Sequence, residues 1–248
     1  MSVTKVRSRP AAKRPAATRP AVERPAAERP APAQPVDGGT LTDRAYVILE
    51  ELISTLQLPP GVFLSEMALA QRLGFGRTPI REALQRLARD GLVIVAPRRG
   101  ILVSEVNLKS QLRLLETRRV LESLLARLSA ERSDAGERAR FAAIAQGMRS
   151  AAAAADDLAF MRLDREFNDL VSATARNEFA ARAISNMTAL SRRFWYQHYK
   201  EVGDLGLSAR LHAEVAEAIA ARDGAAAAAG SDRLMDYIES FARKTLDV

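Results

Sequence analysis

Apolar positions along this chain change rhythm as the chain proceeds. Tyr46, Leu49, Leu52, Ile53 and Leu56 recur at three- and four-residue spacing, which places them on one face of an α-helix. Thr40 or Thr42 stands where a hydroxyl can accept the amide hydrogens that a helix start leaves free. Pro59-Pro60-Gly61 ends the segment in a turn. Ser65 then begins a short helix with Met67, Leu69, Ala70 and Leu73 as its apolar positions, and Gly74 and Gly76 break it. A third helix is expected from Thr78 to Asp90, with Pro79 in its first turn, Ile80, Leu84 and Leu87 facing inward, and Gly91 as its stop.

The rhythm next becomes that of strands. Leu92-Val93-Ile94-Val95 and Ile101-Leu102-Val103 flank Pro97-Arg98-Arg99-Gly100, which predicts a short hairpin with a basic tip. From Asn107 onward the pattern is helical, with breaks at Asn177, between Gly203 and Gly206, and at Arg222-Asp223-Gly224. Helices are expected near 107–133, 135–150, 155–175, 177–200, 207–222 and 226–246. Short loops between neighbours imply an antiparallel bundle. The expected fold class is therefore mostly α: an N-terminal winged helix-turn-helix over 40–106, then an all-helical bundle over 107–248.

Residues 1–39 do not join this pattern. Pro10, Pro15, Pro20, Pro25 and Pro30 recur every five residues, each after an Arg, with Ala between. Such a stretch offers nothing to bury and is expected to be disordered. It reads either as a basic arm that touches phosphates or as a solubilising leader.

Charge narrows the partners. The formal net charge is +7, and the excess is localised. Seven Arg lie between Arg72 and Arg99 against Glu82 and Asp90, while the chain beyond Asn107 is nearly neutral. A basic segment of this kind favours a polyanion. The absence of cysteine excludes disulfides, thiolate metal sites and cysteine nucleophiles. No apolar run approaches the ~20 residues that span a bilayer, and the N-terminus lacks the apolar core of a secretory signal. A cytoplasmic protein without membrane segments is expected.

The third helix carries the candidate chemistry. Arg77 stands at its start and Arg81 one turn later, so both project from the end that can approach base edges in a major groove. A guanidinium fork suits guanine O6/N7 or phosphate. Thr78 and the free amides beside it can hold a phosphate. Arg86 and Arg89 are placed for the DNA backbone, and Arg98, Arg99 and Gly100 for the adjacent groove. The alternative for these arginines is a solvated helical face, with Glu82 and Arg86 as an i,i+4 pair.

Leu64-Ser-Glu-Met-Ala-Leu-Ala-Gln-Arg-Leu-Gly74, Arg77-Thr-Pro-Ile-Arg-Glu-Ala-Leu84, Leu87, Asp90-Gly-Leu92 and Arg99-Gly100 resemble the GntR family of regulators. The resemblance implies a winged helix-turn-helix with Arg77, Thr78 and Arg81 on operator-reading positions. Gly76 departs from it, standing where the family usually has a Ser or Thr cap. The helical remainder resembles the FCD domain of the FadR subfamily. The residues that carry this are Glu116, Arg118, Glu122, Asp164-Arg-Glu-Phe167, Asn177, His212, Ala218-Ile219 and Arg222-Asp223. This implies a homodimeric repressor of a double-stranded DNA operator, governed by a small organic acid bound at Arg118, Asp164, Asn168 and His212. It also implies a divalent metal (Zn, Ni or Mn) on Asp164, Asn168 and His212. Asn168, however, stands at a histidine position, and no His lies between Leu234 and Ile238, where the last ligand falls. Such a set is poor in transition-metal donors, which favours a metal-free pocket. In that pocket Arg118 would meet an anion, or instead pair with Glu122. His198, within Phe194-Trp195-Tyr196-Gln197-His198-Tyr199, is a weaker candidate: the aromatic run can line a pocket or simply pack.

Two other functions compete with this reading. A nonspecific architectural DNA-binding protein would depend on the Arg-Pro tail. A metal-assisted hydrolase on the bundle would need a nucleophile–base arrangement that two His and no glycine-rich phosphate loop hardly supply. An enzyme is not expected.

Overall fold

The computed structural model describes residues 39–96 and 100–245. The expected tail, up to residue 38, and the wing-tip residues Arg98 and Arg99 lie outside them.

Helix α1 (Leu41–Ser54) opens on Thr40, whose hydroxyl accepts the Asp43 amide while the Asp43 carboxylate accepts the Thr40 amide. Thr42 is not the cap, and its hydroxyl donates to Glu82 at 2.6 Å. Leu56 falls outside the helix, because the chain turns through a left-handed residue there (φ 58°). Helix α2 (Glu66–Leu73) is capped by Ser65 and stops at Gly74, which takes the left-handed conformation at φ 71°. Helix α3 (Arg77–Arg89) follows after a tight turn. Strands β2 (Val93–Ala96) and β3 (Gly100–Val103) form the expected antiparallel hairpin. A two-residue strand, β1 (Phe63–Leu64), adds to the far edge of β3 and gives the order β1-β3-β2. This third strand is too short to leave an alternating pattern.

Among the described residues six further helices follow: α4 (Leu108–Arg132), α5 (Ala135–Ala153), α6 (Asp157–Thr174), α7 (Glu178–Val202), α8 (Leu205–Ala220) and α9 (Gly224–Lys244). Each begins with an Asn or Asp side chain that accepts the amide hydrogen three residues on, which is why the breaks fall where they do. The fold is mostly α, a winged helix-turn-helix followed by an all-helical antiparallel bundle.

Two apolar clusters hold it together. One joins Leu49 and Ile53 of α1, Leu69 of α2, Ile80, Leu84 and Leu87 of α3, and Leu92, Val93 and Val103 of the wing. The other fills the bundle with Phe141, Met148, Phe160, Phe167, Phe194, Ile219 and Phe241 among others. Truncating a buried leucine in such a cluster costs ~2–5 kcal/mol. Ala189 of α7 belongs to the first cluster, with Leu190 packed against it. The longest helices of the bundle therefore include one that is also a wall of the reading module.

Candidate functional site

The reading surface is set by the start of α3. Its N-cap is Gly76, which makes no side-chain cap bond, so the first amides have no hydroxyl partner. Arg77, Thr78 and Arg81 are exposed, while Ile80 and Leu84, one turn along, are fully buried and fix the helix's rotation. Arg81 is held by Glu66 of α2 through Nη2–Oε2 at 3.0 Å and Nε–Oε2 at 3.1 Å. Arg86 lies across the Tyr46 ring, 3.9 Å from its centroid, and pairs with Asp43 at 3.3 Å. Glu82 turns to Thr42 and does not pair with Arg86. Gly100, at φ 99°, starts the return strand of the wing.

Inside the bundle, Arg118 (α4), Phe160, Met161 and Asp164 (α6), Ser191, Arg192 and Trp195 (α7), Ser208 and His212 (α8) and Ile238 (α9) surround a small cavity. About 30 Å³ of it is open to the centres of water-sized atoms, which exceeds the ~10–15 Å³ needed for one water. Arg118, Asp164 and His212 are thus brought together. Asn168 lines a neighbouring cavity with Glu122, Ser172, Thr188 and Ser231, and reaches Asp164 through its amide Nδ2 at 3.0 Å. Arg118 pairs with Glu122 within α4 while its side chain still lines the first cavity. His198 packs on the Phe194 ring at 4.9 Å and does not line the cavity; burial lowers its pKa.

Asp164 is the centre of charge. Its Oδ2 accepts from Arg192 Nε at 2.7 Å, and its Oδ1 lies 3.1 Å from His212 Nε2. Burial pushes this carboxyl up, but the hydrogen bond from His212 and the charges of His212, Arg192 and Arg118 outweigh it and hold the pKa at about 2. Burial works against charge on His212 as well. Asp164 and the Ser208 carbonyl, 2.8 Å from Nδ1, reverse this and raise its pKa. Arg192 continues beyond the cavity: its Nη1 donates to Glu50 Oε1 of α1 at 2.7 Å, and Nη2 to the Met161 carbonyl. Glu50 is 2 % exposed and also pairs with Arg165. Burial raises its pKa less than Arg192 and Arg165 lower it. The adjacent Arg193 faces the other way and donates to the Ser104 carbonyl at 2.9 Å and the Ser104 hydroxyl at 3.1 Å; burial lowers its pKa to about 10.

The donor set tests the implied metal. Both Asp164 oxygens are already bonded to Arg192, His212 and Asn168, and Asn168 directs its NH₂, which is no ligand, at that carboxylate. Leu234 and Ile238 contribute no donor. Among the described residues no three His, Cys, Asp or Glu side chains converge. A guanidinium within hydrogen-bond distance of the central carboxylate repels a dication. Asp164, Asn168 and His212 do not fit a divalent metal, and Arg192 carries the positive charge in its place.

A winged helix-turn-helix at the N-terminus joined to a helical bundle is the architecture of a class of DNA-binding transcription regulators, and comparison with known proteins gives the family. Residues 41–103 match the family described as "Bacterial regulatory proteins, gntR family", and residues 113–237 match the FCD domain. The chain belongs to the GntR family of transcription regulators and carries an FCD domain, the combination found in the FadR subfamily. It is similar to the HTH-type transcriptional repressor RspR of Escherichia coli (strain K12), at 28% identity over 184 residues, which is 74% of this chain and 81% of that protein. A regulator in an unstable DNA locus of Streptomyces ambofaciens is 45% identical over 71 residues, 29% of this chain and 30% of that protein. Among solved structures, E. coli McbR/YncC has a TM-score of 0.72 at 20% identity, covering 84% of this chain and 99% of that one, a likeness of fold. Among the described residues no helix is long and apolar enough to cross a membrane.

Arg192, Ser191 and Ser208 are cavity residues that the sequence reading does not single out, whereas Trp195 belongs to the aromatic run that it allows to line a pocket. The signal for Ser191 and Arg192 lies in Ser191-Arg192-Arg193-Phe194-Trp195, where two adjacent charges stand directly before an aromatic run. Neighbouring residues on a helix face directions ~100° apart. Two arginines buried side by side must therefore serve two different partners.

Proposed function

We propose that this chain is a cytoplasmic repressor that binds a double-stranded DNA operator as a homodimer and changes its affinity when a small organic acid enters the helical cavity. Arg77, Thr78 and Arg81 would read the operator from the start of α3. Arg98, Arg99 and Gly100 would bring the wing to the adjacent groove, and Arg86 would add a backbone contact where it is free to leave Tyr46. Two copies on a palindromic site multiply specificity, which is the argument for the dimer. Arg118, Asp164, Asn168 and His212 would form or border the effector site.

One observation carries the reading: a guanidinium that lines the bundle cavity, Arg192, also bonds a carboxylate on the first helix of the reader. An effector that binds two arrangements of the reader unequally will shift the balance between them. The test is fluorescence anisotropy of labelled promoter fragments against random duplex at moderate salt, with and without a panel of organic acids, alongside sedimentation of the free protein. The reading requires preference for a particular fragment, a dimer, and at least one acid that moves the isotherm. Equal binding of every fragment would end it.

A further inference from the structure

We infer that the cavity takes a small monocarboxylate without a metal, received by the Arg192 guanidinium and the Trp195 indole N–H, and that Arg192 passes its occupancy to Glu50 of α1. This rests on the regulator reading above and names the chemistry of its effector site.

The argument is one of donors and acceptors. A guanidinium has five N–H groups. Arg192 directs one each to Asp164, Glu50 and the Met161 carbonyl, which leaves two. Trp195 lines the same cavity, is 7% exposed, and its Nε1–H has no partner. A buried donor without an acceptor is costly, on the order of 1–3 kcal/mol. The Asp164 acceptors, by contrast, are largely used: Oδ1 faces His212 and Asn168, and Oδ2 faces Arg192. The unmet capacity at this cavity is therefore donating. A species that only accepts hydrogen bonds and carries negative charge satisfies it, and a carboxylate is that species. Three protein donors already occupy the carboxylate at the centre, and a metal ion on its remaining lone pair would lie beside the Arg192 guanidinium, whose charge repels it. Phe160, Met161 and Ile238 supply apolar wall for a short alkyl body.

Arg192 makes the site more than a receptacle. A ligand carboxylate draws on the same guanidinium as Glu50, so the two compete. Competition is reciprocal: whatever weakens the Glu50 bond strengthens the ligand, and the ligand weakens the Glu50 bond in equal measure.

Trp195 is the single tryptophan of the chain, and its emission reports the cavity directly. The experiment titrates the full chain, dialysed against chelator, with acetate, propionate, benzoate and succinate. Trp195 fluorescence and calorimetry are followed, then repeated with added Zn²⁺ or Mn²⁺. Operator release is followed in parallel on a DNA fragment that the protein selects from a random pool. The expected result is saturable binding of at least one monocarboxylate, unchanged by chelator or metal. R192K, which keeps the charge but not the fork, should weaken it by roughly tenfold or more. E50Q should tighten it about fivefold or more. Both variants are checked for native circular dichroism, and a merely structural role for Arg192 would not move the two affinities in opposite directions. Binding that requires Zn²⁺ or Mn²⁺, or an affinity indifferent to R192K, overturns this inference and leaves the regulator reading standing. If no acid alters either Trp195 emission or operator binding, both fall.

Discussion

Arg192 and Glu50 lie 142 residues apart in sequence and meet at 2.7 Å in the interior, the first on a helix that walls the bundle cavity and the second on the opening helix of the winged helix-turn-helix. Both are buried, at 8% and 2% exposure. A buried ion pair of this kind contributes little over an apolar substitute, but breaking it from one side is expensive. Arg192→Met removes a charge partner from Asp164 and Glu50 together, leaving them His212 and Arg165, and should lower stability by ~3–5 kcal/mol. Glu50→Gln should cost less, because Arg192 keeps Asp164. In a double-mutant cycle followed by urea denaturation, the two changes should not add; additivity would mean that the pair is not coupled.

Acid should reveal the same pair. Arg192 and Arg165 hold the Glu50 carboxyl below its ordinary value of 4.5 in spite of its burial. A carboxylate whose pKa is depressed by folding adds stability that is complete above its unfolded pKa and disappears as pH falls through the folded one. The protein should therefore lose stability progressively below pH 4.5. Glu50→Gln should flatten that dependence, since the amide that replaces the carboxylate has no proton to gain. Urea midpoints at several pH values between neutrality and strong acid provide the check, and identical slopes for the two proteins would contradict the assignment.

The reader's arginines should divide into two kinds. Arg77→Ala and Arg81→Ala remove exposed forks at the start of α3 and should each reduce discrimination between selected and random DNA by roughly tenfold or more while leaving the thermal midpoint almost unchanged. Arg86→Ala should do the reverse in part. Arg86 covers Tyr46 and meets Asp43, so its loss should cost ~0.5–1 kcal/mol of stability. Anisotropy and thermal melting on the same three variants decide whether this division holds.

Several helices end on a residue that is strained by its own Cβ. Ala155 (φ 53°) and Arg222 (φ 62°) follow α5 and α8 in the left-handed region, where glycine sits without penalty. Ala155→Gly and Arg222→Gly should each raise stability by ~0.5–1 kcal/mol, the relief of strain exceeding the added freedom of the unfolded chain. Calorimetric midpoints that fall would show that the turns are held by side-chain contacts instead.

How far the sequence is legible depends on whether the signal is local. Helix starts are readable because Ser65, Asn107, Asn177 and Asp223 act on amides three residues away. The hairpin and the exposed start of α3 are equally local. What escapes are interactions between distant segments. Thr40 and Thr42 are both plausible caps, and only the approach of Glu82 from α3 gives Thr42 another task. Phe63 and Leu64 pair with β3 through backbone, which no side-chain pattern announces. The Arg118–Glu122 pair can be foreseen from i,i+4 spacing. The more consequential partner of Asp164 cannot, because Arg192 comes from a different helix and satisfies another module with the same side chain.

Helix α7 lends Ala189 to the reader's core, Arg192 to Glu50 and Arg193 to the Ser104 carbonyl. Anyone who splices this helical bundle onto a foreign reader, or this reader onto a foreign bundle, will cut through those bonds even with the connecting peptide intact. A working chimera of this chain must import the acidic residue of the first helix and the paired arginines of the seventh as one unit, because the seam that joins the two modules lies far from the sequence junction.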